Sequence, residues 1–474
     1  MNTTPSTIAA DVIVIGFGKG GKTAASTLGH LGRRVVLIEQ SPLMYGGTCP
    51  NVGCVPTKAL VYHAHNRREE DSPGDWYRRS VTTVHQLTSS FRDINYDVLD
   101  AHDSLTILTG KGTFVDPHTV SVDVDGRHVT VTGDTILINT GSEPIIPDIK
   151  GIRDSAHVIT STDLIHRTDL PAHLVIIGGG YLGLELGAVY RTFGSEVTIL
   201  EMTSQILRRE DDDVARTAIS IFENEGINIV TNANVLEIRD GGDGAVVTYE
   251  SNGEQFSVEA DAVLPATGRA PATKGLGLEA AGVSTTPRGA VVVDEHLRTS
   301  QRHIFALGDV NGGPQFTYVS LDDARIVLDQ LIGEGKRSTA DRHSVPRTLF
   351  ISPPLATVGL TEREARAAGH RIKVGSQNVG EIFAMPRAYI VEETRGIMKF
   401  IIDLDTDLIL GAALLSVDSQ EMINVVSLAM RSGTTATQLQ DSIYTHPSST
   451  EAFNDVIGVI VRSDAQASSD AEAA

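Results

Sequence analysis

The chain is poor in cysteine, tryptophan and positive charge. Only two cysteines occur in 474 residues, so no secreted disulfide framework can be built. Thirty-nine lysines and arginines stand against 60 acids, and the net charge of −21 argues against an electrostatic nucleic-acid surface. No run of apolar residues reaches the length of a transmembrane helix. The opening MNTTPSTIAADVIVIG lacks a basic stretch followed by a long apolar one, and is read as a short loose leader, not a signal peptide. These absences predict a cytoplasmic protein without membrane or nucleic-acid partners. In that compartment a persistent disulfide is usually catalytic or redox-sensing. The length predicts two to four domains.

What is abundant is glycine, with 45 residues. Two copies of one turn organise it. In DVIVIGFGKGGKTAASTLGHLGRRVVLIEQ an apolar strand meets Gly16, Gly18 and Gly21, then a helical stretch, then a second strand ending at Glu39. HLVIIGGGYLGLELGAVYRTFGSEVTILEM repeats the plan with Gly178, Gly180, Gly183 and Glu201. The acid follows the first glycine by 39 − 16 = 23 residues in one copy and by 201 − 178 = 23 in the other. The first glycine of such a turn permits the bend, the second lets the backbone approach a pyrophosphate, and the third lets helix and strand pack closely. The acid accepts hydrogen bonds from ribose hydroxyls. Two complete copies predict an α/β protein with two Rossmann-like dinucleotide-binding domains.

Further along, IFALGDV reads as an apolar strand ending in Gly308-Asp309, where an acid can hold a sugar or ribityl hydroxyl. INTGSEP (138–144) and ATGRAP (266–271) close the two nucleotide-binding segments with Thr-Gly turns. Together with the first glycine turn, these fit FAD as one dinucleotide and a nicotinamide as the other.

The two cysteines sit together in GGTCPNVGCVPTK, residues 46–58. A structural staple, a metal pair and a redox couple are all compatible with the spacing. So short a loop would restrain the unfolded chain little, and no further cysteine completes a metal site. The pair lies near the start of an expected helix, with Pro56 in its first turn. A helix N-terminus lowers a thiol pKa, which suits a redox couple beside a flavin.

These residues resemble the class I pyridine nucleotide-disulfide oxidoreductases, in the family's own order. The cysteine motif is followed by the second glycine turn, ALGDV, SPPLATVGLTEREA and THPSSTE. IGFGKGGKT, MYGGTC, FTYVSLDDARIV and GEGKRST resemble the branch linked to reactive-chlorine resistance and copper(II) reduction. The resemblance implies a C-terminal α+β dimerisation domain and a homodimer. It implies that Cys54 is the thiol nearer the flavin and Cys49 the interchange thiol. Lys58 would lie near the flavin and pair with Glu185, and Tyr181 would gate the nicotinamide. His446 would be the acid/base for the interchange thiol across the dimer, oriented by Glu451. Gly47, Thr48, Thr140, Gly141 and Asp309 would join the FAD site, and Gly268 the NAD(P) site.

Expected domains are 8–150 and 273–345 for FAD and the central part, 151–272 for NAD(P), and 346–464 for the dimer interface. Residues 1–7 and 465–474 are expected as loose tails. Glu201 repels a 2′-phosphate, so NADH is expected over NADPH, although Arg208 and Arg209 stand nearby. The acceptor is expected to be a small disulfide, a metal ion or an oxidant-derived molecule. A lipoamide dehydrogenase, a mercuric reductase and a low-turnover flavin redox sensor are the alternatives. The tail lacks the extra cysteine pair of mercuric reductases. No resident metal is assigned, although His63 and His65 stand close to the cysteines. Lys19 and Lys22 in the first turn have no assigned role.

Overall fold

The structure is a computed structural model and describes residues 7–68 and 70–463. The tails expected at 1–7 and 465–474 lie outside the described residues, except that Thr7 opens the first strand. The chain forms two compact units. One is drawn from residues 1–146, 160–169 and 267–341, the other from 147–159, 170–266 and 342–474. The expected interface segment 346–464 falls in the second unit, and so does the expected NAD(P)-binding segment 151–272 except for 160–169 and 267–272, which belong to the first.

The first unit holds β1 (Thr7–Ile15), α1 (Lys19–His30), β2 (Val35–Glu39), α2 (Thr48–Val52), α3 (Cys54–Ala64) and α4 (Pro73–Asp100). There follow β3 (Leu105–Thr109), β4 (Lys111–Asp116), β5 (Thr119–Val124), β6 (Arg127–Ile138), β7 (Ser142–Pro144) and α5 (Ser161–Leu164). The chain returns with β15 (Arg269–Pro271), β16 (Ile304–Ala306) and α8 (Thr317–Ile332). Strand order is β3-β2-β1-β6-β5-β4, with β16 added beside β6. The β3-β2-β1-β6 core is parallel, with Val14 opposite both Leu37 and Leu137.

Alternation along β1 explains its unbroken apolar run. Val12 and Val14 pack with Leu28, Phe305 and Val327 on one face. Ile13 and Ile15 pack with Phe114, Val120 and Val131 on the other. A parallel strand buried on both faces needs apolar residues at every position. β7 pairs antiparallel with β15, Pro144 opposite Arg269, where the chain leaves the unit and returns.

The second unit holds β8 (His173–Ile177), α6 (Tyr181–Phe193), β9 (Glu196–Leu200), α7 (Asp212–Asn224), β10 (Asn228–Val230) and β14 (Ala262–Pro265). These strands form a parallel sheet in the order β10-β9-β8-β14. β11 (Ala233–Gly241), β12 (Gly244–Ser251) and β13 (Glu254–Ala260) form an antiparallel sheet.

The C-terminal α+β part of this unit has strands β17 (Arg347–Leu349), β18 (Leu355–Gly359), β19 (Ile372–Asn378), β20 (Ile397–Asp403), β21 (Ile409–Leu415) and β22 (Ile460–Ser463). Its helices are α9 (Glu362–Ala367), α10 (Pro386–Ile390), α11 (Ser419–Ser432), α12 (Ala436–Gln440) and α13 (Ala452–Val456). The sheet order is β17-β18-β21-β20-β19-β22, and its core is built on Phe400, Leu414, Met422, Val426 and Phe453. Two Rossmann-like domains and a C-terminal α+β domain are thus the architecture. Among the described residues no helix is long and apolar enough to cross a membrane.

Candidate functional site

The first glycine turn is fixed by a distant asparagine. Gly16 has φ +104°, and a Cβ there would lie 2.3 Å from the carbonyl oxygen of Asn139. Only glycine fits such a close approach in a left-handed conformation. Asn139 Oδ1 accepts from the Gly21 N–H at 2.8 Å, and its Nδ2 donates to Leu307 O at 2.7 Å. Ser320 on α8 accepts from the Gly20 N–H at 3.1 Å. Gly18 caps α1 in an extended conformation. The α1 N-terminus is thereby held rigid for an anion.

Glu39 ends β2 and is only 7% exposed. Its carboxylate accepts from the N–H groups of Phe17 at 3.0 Å and Ser41 at 3.3 Å. Burial pushes its pKa up to about 7, against those N–H donors, which pull it down. Thr140 Oγ1 is buried with no hydrogen-bond partner, and Gly141 has φ +72°. Asp309 stands in a short 3-10 turn, Gly308–Asn311, beyond the end of β16 and not on the strand as expected. It accepts from the Ser142 hydroxyl at 2.7 Å, and Arg269 Nε donates to that hydroxyl at 2.9 Å. A buried acid, an unpartnered buried hydroxyl and a rigid helix N-terminus fit an adenine dinucleotide. Glu39 would hold the adenosine ribose, the α1 turn and Thr48 the pyrophosphate, and Asp309 the ribityl of FAD.

Gly47 brings the cysteine loop onto this turn. Its φ is +80°, and a Cβ there would lie 2.6 Å from the Cα of Gly18. Gly47→Ala adds that clash to a strained backbone worth about 1–3 kcal/mol, so flavin affinity should fall about tenfold or more. Flavin absorbance per protein after dialysis measures it.

Cys49 lies on α2, and Cys54 is the first residue of α3. Cys49 is half-buried, Cys54 is exposed, and both are in the thiol form. Cys54 Sγ lies 3.7 Å from Thr317 Oγ1 on α8. The Cys49 pKa is pushed up, first by its hydrogen bond to Cys54, then by burial. Thr317 and Lys22 oppose the rise. A thiol that donates its proton to a neighbouring sulfur holds that proton more tightly. Lys58 follows Cys54 by one turn of α3 and is half-buried. His63 is on the same helix, and its carbonyl accepts from the Trp76 indole at 3.0 Å. His65 caps the helix end. Among the described residues no group of three or more His, Cys, Asp or Glu is arranged to hold a metal.

In the second unit Gly178 has φ +110°, Gly180 caps α6, and a Cβ on Gly183 would lie 2.2 Å from Gly178 O. Glu201 immediately follows β9. One of its oxygens accepts from Gly179 N–H at 2.8 Å, the other from Thr203 N–H at 2.8 Å and its hydroxyl at 2.6 Å. Arg208 and Arg209 are exposed. Tyr181 donates to Glu210 at 2.9 Å, and burial, then the Glu210 charge, raises its pKa. Glu185 is 7% exposed and accepts from Phe350 N–H at 2.8 Å. Gly268, expected at the NAD(P) site, falls in the first unit, where its carbonyl accepts from Ile145 N–H at 3.0 Å.

The His446 ring is 71% exposed, and its Nδ1 lies 2.9 Å from Glu451 Oε1. Glu451 also accepts from Ser448 N–H at 2.8 Å, and that bond, together with His446, holds its pKa low against burial. An ionised carboxylate thus orients an outward-facing imidazole. Sequence reasoning missed Asn139, Ser320 and Thr317, whose roles depend on distant contacts.

The family pattern described as pyridine nucleotide-disulphide oxidoreductase matches residues 10–324. The pattern for that family's dimerisation domain matches residues 345–457. The chain is 43% identical over 448 residues to the probable pyridine nucleotide-disulfide oxidoreductase RclA of Escherichia coli (strain K12), covering 94% of this chain and 98% of that protein. It is 33% identical to the mercuric reductase of Staphylococcus aureus, covering 91% of this chain and 79% of that protein. A solved Cu(II) complex of the HOCl-induced flavoprotein disulfide reductase RclA from Escherichia coli superposes with a TM-score of 0.90 at 43% identity. That match covers 96% of this chain and all of the other.

Proposed function

Because the chain belongs to the pyridine nucleotide-disulphide oxidoreductase family, we propose that it is an FAD-dependent reductase that moves electrons from NADH through Cys49–Cys54 to a metal ion such as copper(II), a disulfide or an oxidant-derived acceptor. The observation that carries this reading is the contact of the two thiols at the rim of the flavin-type turn. A bound flavin supplies two-electron uptake from a reduced nicotinamide and release to a neighbouring disulfide. The chain's own part is to bind, orient and hold charge. Glu39, Thr48, Thr140 and Asp309 hold the flavin, while Cys49 and Cys54 close and open the disulfide.

The copper(II) complex and HOCl induction belong to the RclA of Escherichia coli. They support a metal-ion acceptor and a place in oxidative-stress defence. The exposed, carboxylate-oriented His446 supports a homodimer in which each protomer's imidazole serves its partner's Cys49. The low-turnover sensor is disfavoured because a sensor needs no aligned acid/base.

The test is anaerobic NADH oxidation with glutathione disulfide, lipoamide, copper(II), mercury(II) and a quinone. Fast turnover with one acceptor supports the reading and names the substrate class. Turnover with quinone alone, indifferent to the cysteines, would move the sensor or a plain diaphorase ahead.

NADH is favoured because Glu201 places a carboxylate where a 2′-phosphate would sit. In Glu201→Ala the ratio of kcat/KM for NADH over NADPH should fall about tenfold. An unchanged ratio, measured by initial rates, would count against it.

A further inference from the structure

We propose that Lys22, on the first turn of α1, is the charge partner that stabilises the thiolate of Cys49. This deepens the reading above and rests on Cys49 being the working thiol.

Three contacts place the ammonium. Lys22 Nζ donates to Asn95 Oδ1 on α4. Asn95 lies against the cysteine loop, since a Cβ on Gly46 would be 3.0 Å from its Cγ. Gly18 and Gly47 touch, so the start of α1 lies against the residue two before Cys49. Lys22 and Cys49 accordingly influence each other's charge.

The charged and titratable groups around this loop come from four helices. From α1 come Lys19 and Lys22. From α3 come Cys54 and, one turn on, Lys58, and from α8 the neutral Thr317. From α4, Arg92 donates to Asn51 Oδ1 at 3.0 Å, and Tyr96 packs at a tilt against Tyr45 with ring centroids 4.8 Å apart. Behind Asn51 stands His166, paired with His85 at 4.9 Å between ring centroids. Arg92 is engaged by Asn51 and by Leu43 O at 3.1 Å. Both histidines are lowered by burial. Of the cations named, Lys22 is the one whose charge acts on Cys49.

Lys22 itself is half-buried. Burial, then the charge of Lys19, pushes its pKa down to about 8, while Cys49 pulls the other way. Its ammonium is therefore retained at neutral pH and lost on the alkaline side. An amine held so close to neutrality strengthens when a thiolate forms beside it. The thiol proton leaves to water, and the thiolate keeps its negative charge against the lysine.

The test is iodoacetamide labelling of Cys49 in full-length Cys54→Ser protein across pH, read by mass spectrometry. It is compared with the same protein carrying Lys22→Met or Lys22→Arg. Iodoacetamide is uncharged, so its rate reports the thiolate fraction. One pKa unit corresponds to about tenfold in that fraction, so Lys22→Met should label about tenfold more slowly near pH 7. The gap should close on the alkaline side as Lys22 loses its proton. Lys22→Arg should keep the fast rate there. Coincident pH profiles for all three proteins would overturn the proposal. So would a Lys22→Met protein with a lowered Tm or an emptied flavin site but an unmoved profile, because Lys22 would then only brace α4 or hold the cofactor. No acceptor is involved, so failure here is distinct from failure of the reductase reading, which shows in acceptor turnover.

Discussion

Cys49→Ser is expected to lower NADH-driven acceptor reduction by more than about a hundredfold. In the proposed reaction a Cys49–Cys54 disulfide takes electrons from the flavin; a hydroxyl cannot form it and is not ionised at neutral pH. The effect should be selective. Anaerobic bleaching of flavin absorbance by NADH precedes the cysteines in the electron path and should survive the substitution. The measurement is therefore paired: stopped-flow bleaching and steady-state acceptor turnover on the same protein. Loss of turnover with intact bleaching places the electron exit at the cysteine couple. Equal turnover in both proteins would put the exit elsewhere.

Lys399→Met is expected to destabilise the second unit by about 3–5 kcal/mol, the range for removing one partner of a buried ion cluster. Lys399 lies on β20 and is only 2% exposed. Its ammonium lies 2.8 Å from Glu362, 3.0 Å from Asp213 and 3.2 Å from Asp211. Asp211 also accepts from Glu362 N–H at 2.9 Å, tying the start of α9 to that of α7. Methionine fills the volume but leaves three carboxylates without their shared cation. Arg366, 3.3 Å from Glu362, offsets only part of the loss. Thermal unfolding monitored by circular dichroism would measure it, and an unchanged Tm would show that solvent already screens the cluster.

The pH dependence of that deficit has a fixed sign. Burial alone would lower the Lys399 pKa, but Glu362, Asp211 and Asp213 outweigh it and raise it. A raised lysine pKa contributes stability below its unfolded value and loses it as pH rises through the folded one. The gap between native and Lys399→Met proteins should hold through neutral pH and narrow only beyond the ordinary lysine range.

Much of this was legible in the sequence because it is local. The glycine turns are set by backbone conformation over a few residues, and β1 declares itself by an unbroken apolar run. The acids at Glu39 and Glu201 follow from the length of one strand-helix-strand unit. His446 and Glu451 are five apart, and one loop brings them together. What escaped depends on distant partners. Asn139 meets Gly21 across 118 residues, Ser320 meets Gly20 across 300, and Lys399 meets Asp213 across 186. No periodicity or propensity encodes such pairings. The raised Cys49 pKa belongs with these: the helix start is visible in the sequence, but the hydrogen bond between the two thiols is not.

The clasp of β7 with β15 also sets an order of events on the ribosome. The first sheet cannot receive β16, nor the Gly20 N–H its Ser320, until the chain has been made well past Thr267. At roughly 5–20 residues per second, synthesis of the stretch between Ile146 and Thr267 takes many seconds. During that time β6 waits with an open side, and the glycine turn waits for its serine. The parallel sheet of β8, β9, β10 and β14, by contrast, is complete in one continuous stretch of chain. The sheet of the second glycine turn can therefore close while the sheet of the first still lacks a strand.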